Sequence, residues 1–164
     1  MNNLYKILFY FIIVLNPILS NAKTKKQLDK AKFVAEKETV NKTFTFGKWT
    51  QEGGMENQYT YLGKFKTKND KIYKVLNSVW IWGLSSRSTS RILIYDKHNN
   101  YVGNYYLQTM SNLPDKLIKN RLIFINNEKE CDKGNKTEID LSNGLPKQIF
   151  IKCNGEFGDV CVFE

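Results

Sequence analysis

Arg91 to Leu107, RILIYDKHNNYVGNYYL, constrains the fold more than any other stretch of this chain. Ile92, Leu93, Ile94 and Tyr95, then Tyr101, Val102, Tyr105 and Tyr106, fit a pleated and largely buried surface, whereas Asp96 to Asn100 is polar and tolerates turn geometry. The pattern predicts a β-hairpin. With the turn centred between His98 and Asn99, Ile94 faces Gly103, Ile92 faces Tyr105, Arg91 faces Tyr106 and Tyr95 faces Val102. Apolar groups on both faces predict central rather than edge strands. A slip of one residue would change which pairs meet.

The rest of the chain reads the same way. Thr43 to Trp49, Gln58 to Lys66 and Lys71 to Trp82 are strand-like, with Glu52-Gly53-Gly54 as a loop. In the third of these, Tyr73, Val75, Val79 and Ile81 share one face, and Ile72, Lys74, Leu76, Ser78, Trp80 and Trp82 share the other. Pro114 makes Leu113 to Ile118 an edge or irregular segment. Arg121 to Ile125 reads as a buried strand and Thr137 to Leu141 as a half-buried one. After Ser142-Asn143-Gly144, Ile149, Ile151 and Cys153 lie on a returning strand, and Val160 to Phe163 closes the chain. About nine short strands with short connections predict an all-β, antiparallel β-sandwich in one domain, 43–164, with an up-and-down barrel as the alternative.

The first residues have another purpose. Lys6, the apolar run Ile7 to Leu15 and the small residues Ser20-Asn21-Ala22 have the order of a secretory signal peptide over 1–22. A membrane span wants about 20 apolar residues, more than this run supplies. Removal of 1–22 would leave 142 of the 164 residues, one ordinary domain. The expected location is periplasmic or extracellular, with no stable membrane insertion after cleavage.

The formal charge of +9 is unevenly placed. Residues 23–48 hold eight lysines against Asp29, Glu36 and Glu38. Basicity therefore marks an arm over 23–42, not the domain, and no nucleic-acid-binding pattern accompanies it. The arm is a marginal helix or a linker. Thr24 and Gln27 stand at capping-box spacing with Leu28, Ala31 and Ala35 on one face, and the thin apolar stripe needs packing to hold it.

Cys131, Cys153 and Cys161 lie in the domain, and an oxidising compartment pairs two of them. A hairpin turning at Asn143 and Gly144 would bring Cys131 and Cys153 to one end, so that pairing is expected, with Cys161 a buried thiol. Cys153 with Cys161 is the rival.

Candidate binding residues fall into two groups. Trp80 and Trp82, two apart on a strand, point the same way and offer either core or an aromatic platform for a sugar or peptide. Gly83 to Ser90, GLSSRSTS, reads as a polar connection in which Ser85, Ser86, Arg87 and Ser88, with Arg91 beyond, could converge on an anion. Chemistry has thinner support. His98 is the sole imidazole and sits in a turn beside Asp96, with no nucleophile placed near it by spacing. Asp132, Asn135 and Glu138 lack EF-hand spacing. No catalytic residue, metal set or cofactor pattern emerges.

Gly47-Lys48-Trp49 resembles the G-x-W that opens lipocalin-type barrels, and that resemblance implies a barrel holding an apolar ligand. Gly63-Lys64-Phe65 and Gly103-Asn104-Tyr105 echo it. Glycine inside a strand otherwise marks a bulge or a close backbone approach. Together these features predict an exported binding domain without catalysis that takes a protein partner, the alternative being a small ligand in a barrel or on the tryptophans.

Overall fold

The computed structural model describes residues 25–107, 112–126, 131–132 and 134–164, so the signal segment and Thr24 of the capping box lie outside the described residues. The chain divides into two compact units, Met1–Lys30 and Ala31–Glu164. In the first, residues 25–30 are helical. This helix, α1, runs over 25–37 and so ends in the second unit.

Among the described residues the second unit holds ten strands: β1 Thr43–Gly47, β2 Glu56–Lys66, β3 Ile72–Trp82, β4 Arg87–Asp96, β5 Tyr101–Leu107, β6 Lys116–Ile118, β7 Arg121–Ile125, β8 Lys136–Asp140, β9 Gln148–Asn154 and β10 Phe157–Val162. They form a five-stranded meander β1-β2-β3-β4-β5, a three-stranded sheet β6-β7-β8 and a hairpin β9-β10, all antiparallel. The fold is an all-β, sandwich-like domain. The five-stranded sheet stays open, with β1 and β5 at opposite ends, which overturns the barrel that Gly47-Lys48-Trp49 implied.

Period-two alternation explains the layers. One face of the meander carries Phe65, Val75, Ile92, Ile94, Tyr105 and Leu107, which pack on Leu122, Phe124, Leu141, Ile149, Ile151 and Cys161 of the smaller sheets and their connections. The opposite face carries Tyr59, Tyr61, Leu76, Leu93 and Tyr95, which cluster with Ala31, Val34 and Ala35 of α1. Those three helical residues are spaced at i, i+3 and i+4 and are fully buried. Apolar groups on both faces of β3 and β4 are thus accounted for by a layer on each side.

The hairpin register matches expectation at Ile94↔Gly103, Ile92↔Tyr105 and Arg91↔Tyr106, and departs at Tyr95, which meets Tyr101 across a bulge. Asp96 causes the departure. Its Oδ1 accepts the backbone N–H groups of His98 and Asn100, each at 2.8 Å, tightening the turn on one side. β5 is the last strand of its sheet, not a central one. Its outer edge meets the C-terminus through a Tyr105↔Phe163 bridge and reciprocal backbone bonds between Asn104 and Glu164, each 2.9 Å.

Two glycines confirm the local reading. Gly63, at φ 136°, sits where the β2–β3 register shifts. Gly103 lies against the Glu164 carbonyl oxygen and the Phe163 ring, where a Cβ would collide with both.

The expected pairing of Thr137–Leu141 with Ile149–Cys153 does not form: β8 joins β7 and β9 joins β10. Even so, Cys131 and Cys153 form a disulfide with Cα atoms 4.6 Å apart, and Cys161 is a buried thiol. The Asp132 N–H donates to the Cys153 carbonyl at 2.9 Å, so backbone docking brings the cysteines together.

Candidate binding face

The helix-side face of the meander continues past the rows that α1 packs on. Cross-strand register sets Trp82 beside Arg87, Trp80 beside Asn57 and Thr89, and Ser78 beside Tyr59 and Arg91, with Tyr106 next to Arg91. Partners directly opposite in a ladder share a face, so these side chains form one surface.

Within it, the Trp80 and Trp82 ring centroids are 5.9 Å apart with planes tilted by 36°. This is an aromatic pair, not a flat platform. The Arg87 guanidinium lies over the Trp82 ring at 5.7 Å, and that of Arg91 over the Tyr106 ring at 5.6 Å, both within cation–π range. Trp82 Nε1 donates to Thr89 Oγ1 at 3.3 Å. Burial pushes the Tyr59 phenol up to about 12, and the positive charge of Arg91 opposes that rise. The face is thus buried at Tyr59, half-buried at Trp80, Trp82 and Arg91, and positively charged along β4.

Two polar atoms on this face lack a protein partner. Trp80 Nε1 and Asn104 Oδ1 are buried and find no hydrogen-bond partner among the described residues. A buried donor or acceptor left unmade costs about 1–3 kcal/mol.

The serines do not join the arginines. Only Gly83–Ser86 is turn, because β4 begins at Arg87 and pairs with β3 from Trp82↔Arg87 to Val79↔Ser90. Composition made Gly83–Ser90 look like a loop, and hairpin pairing overrode it. Alternation then places Ser88 on the face opposite Arg87 and Arg91. Ser85 and Ser86 stay at the exposed tip beside Leu84, which is 73 % exposed. Trp49 staples this tip to the end of β1, its indole Nε1 donating to the Gly83 carbonyl at 2.7 Å. The predicted anion cup is not assembled.

The remaining candidates are engaged elsewhere. His98 is exposed in the β4–β5 turn. Glu138 is paired with Arg121 and Lys136, and Asp132 Oδ2 accepts the Gly155 N–H at 3.3 Å. Among the described residues no cluster of three metal-ligating side chains occurs, and no helix is long and apolar enough to cross a membrane. Tyr106, Tyr59 and Thr89 belong to the face without having been singled out by sequence. The pairing of Arg91 with Tyr106 in the predicted hairpin carried the signal for the first of them. No family model, curated protein or solved structure matches this chain.

Proposed function

We propose that this chain is an exported binding domain, periplasmic or extracellular, that recognises a protein partner through the tryptophan- and arginine-bearing end of the helix-side sheet face and performs no chemistry. The carrying observation is the set of rows that gathers Trp80, Trp82, Arg87, Arg91 and Tyr106 on one surface. Tryptophan, tyrosine and arginine are the residue types that dominate binding hot spots, because they offer large contact area with a polar handle. The disulfide and the N-terminal segment with signal-peptide order support export.

The test is affinity capture from the native compartment with the mature protein as bait, followed by titration of the captured partner. The expected result is a saturable complex that Arg87→Ala and Trp82→Ala weaken while the variants keep the parent circular dichroism spectrum. A partner bound equally by parent and variants would remove this face from the reading. A sugar or lipid that co-purifies, with no protein partner, would replace it with small-ligand binding.

A further inference from the structure

We propose that the outward face of the β6–β8 sheet binds a small amphipathic anion, a carboxylate carried on an unbranched apolar chain. This face is separate from the tryptophan-bearing one. Its rows are Ile118–Arg121–Asp140, Lys116–Ile123–Glu138 and Ile125–Lys136. The inward residues of the same strands, Leu117, Leu122, Phe124 and Ile139, belong to the core.

A sheet face turned only to solvent would alternate apolar-in and polar-out. Here Arg121 to Ile125 places isoleucines on the outward face as well, with Ile118 46 % exposed at its edge. Ile118 and Ile125, with the buried Ile123 (3 % exposed) between them, line a groove of about 490 Å³ rimmed by Lys116, Lys119, Arg121, Lys136 and Glu138. That volume lies in the range of small-molecule sites, about 300–1,000 Å³.

Charge selects the occupant. Four cations rim the groove against Glu138, with Asp140 beside Arg121 on the same face, and Glu138 is already held by Arg121 at 3.0 Å and by Lys136. Lys116 and Lys119 have no carboxylate at ion-pair distance among the described residues. An anionic head would meet these two ammonium groups while its chain lies on Ile118 and Ile125. A neutral apolar molecule would leave the ammonium groups uncompensated.

The rim is also preformed. Lys119 and Asn120 adopt φ 45° and 63°, the paired left-handed geometry of a tight hairpin turn. Asn120 holds that turn on β2 by donating to the Lys66 carbonyl at 2.8 Å and accepting the Lys66 N–H at 3.4 Å. Lys119 is therefore kept at the groove at the expense of a backbone conformation that glycine would adopt more readily.

The experiment is calorimetric titration of the whole protein with dodecanoate below its micellar concentration, with butanoate and dodecanol as single-feature controls. Saturable one-to-one binding of dodecanoate is expected, with both controls markedly weaker. Lys116→Gln with Lys119→Gly should weaken it about fivefold, the order expected for two partly exposed charge contacts. The glycine suits the turn, so this variant keeps its fold. Ile118→Ser, at an exposed position, should weaken it by a similar factor. Absence of binding, equal binding of dodecanol, or affinity unchanged in both variants would overturn the proposal. So would saturable binding of an acidic peptide alone, or self-association that these variants abolish, since either assigns the groove to a macromolecule.

Discussion

Glu38→Gln is expected to destabilise the domain by about 1.5 kcal/mol at neutral pH. The effect originates at Lys74, whose side chain is 7 % exposed on the helix-side face of β3. Its ammonium has three N–H donors and three acceptors: Glu38 Oε1 at 2.6 Å, Asn99 Oδ1 at 2.7 Å and the Ala35 carbonyl of α1 at 3.2 Å. Glutamine keeps an oxygen in place but removes the countercharge from a buried cation. Breaking a fully buried pair at one partner costs about 3–5 kcal/mol, whereas an exposed pair is worth about 0.2–1 kcal/mol. Glu38 is 37 % exposed and also meets Lys64 at 3.1 Å, so solvent screens the loss and the cost falls between those limits. For a domain of this size the melting temperature should drop by about 3–6 °C.

Two further features make the prediction sharp. Hydrogen bonds from Lys74, then Lys64, hold the Glu38 carboxyl below its ordinary value. Its contribution is therefore fully present above the unfolded-state value and lost as pH falls through the lowered folded one. The gap between Glu38→Gln and the parent should accordingly close in acid. Glu38 also has φ 47°, directly after the last residue of α1, where a left-handed residue is normally glycine or asparagine. Glu38→Gly relieves about 1 kcal/mol of backbone strain but removes both the countercharge and the oxygen that glutamine keeps for Lys74, so it should also fall below the parent. Urea unfolding followed by tryptophan fluorescence at several pH values reads all three outcomes. Parent-like stability of Glu38→Gln at neutral pH, a deficit that persists unchanged in acid, or Glu38→Gly at parent stability would refute the reasoning.

Replacing Cys131 and Cys153 by serine should cost about 3 kcal/mol, as expected for a loop closed across 22 positions, read as a lower urea midpoint. Burial, with Asp159 nearby, pushes the Cys161 thiol up to about 11, so a thiol-specific disulfide reagent at mildly alkaline pH should label it only after unfolding. Gly103→Ala drives a methyl into the Glu164 backbone and the Phe163 ring. It should cost about 1–3 kcal/mol and speed amide exchange at Phe163 and Glu164, where unchanged exchange would show that the C-terminal pairing does not depend on the glycine.

Much of the meander was legible in the sequence because its signals are local. Alternation, glycine placement and a polar turn set the pairs Ile92↔Tyr105 and Arg91↔Tyr106. What sequence missed depends on contacts between distant segments. Lys74 on an alternating strand looks like a solvent-facing lysine, and only Glu38, Ala35 and Asn99 make its burial tolerable. The arm looked marginal because a helix with so thin an apolar stripe is stable only on a surface prepared for it. Leu76, Leu93 and Tyr95 supply that surface from strands tens of residues away. The Cys131–Cys153 pairing was anticipated, yet the hairpin argued for it is absent. Loop docking through Asp132 reaches the same pair by another route. Gly83–Ser90 misled because serine and threonine are read as loop residues, although threonine is also a good strand former and β3 offered a partner for each residue from Arg87 onward.

On the helix-side face, residues that hold the fold and residues assigned to the proposed recognition occupy different rows. Leu76 and Leu93 lie under α1, whereas Trp80, Trp82, Arg87 and Arg91 lie further along the same two strands. Replacing Leu76 or Leu93 therefore opens a cavity in the core, while truncating exposed Arg87 removes a guanidinium from the Trp82 ring and leaves the ladder intact. A fall in partner affinity from Arg87→Ala with an unchanged urea midpoint would thus report recognition. The same fall from Trp80→Ala would be ambiguous, since Trp80 packs between Asn57 and Thr89 inside the sheet. Arg87, exposed at the start of β4, is the residue by which the proposed binding can be measured without disturbing the fold.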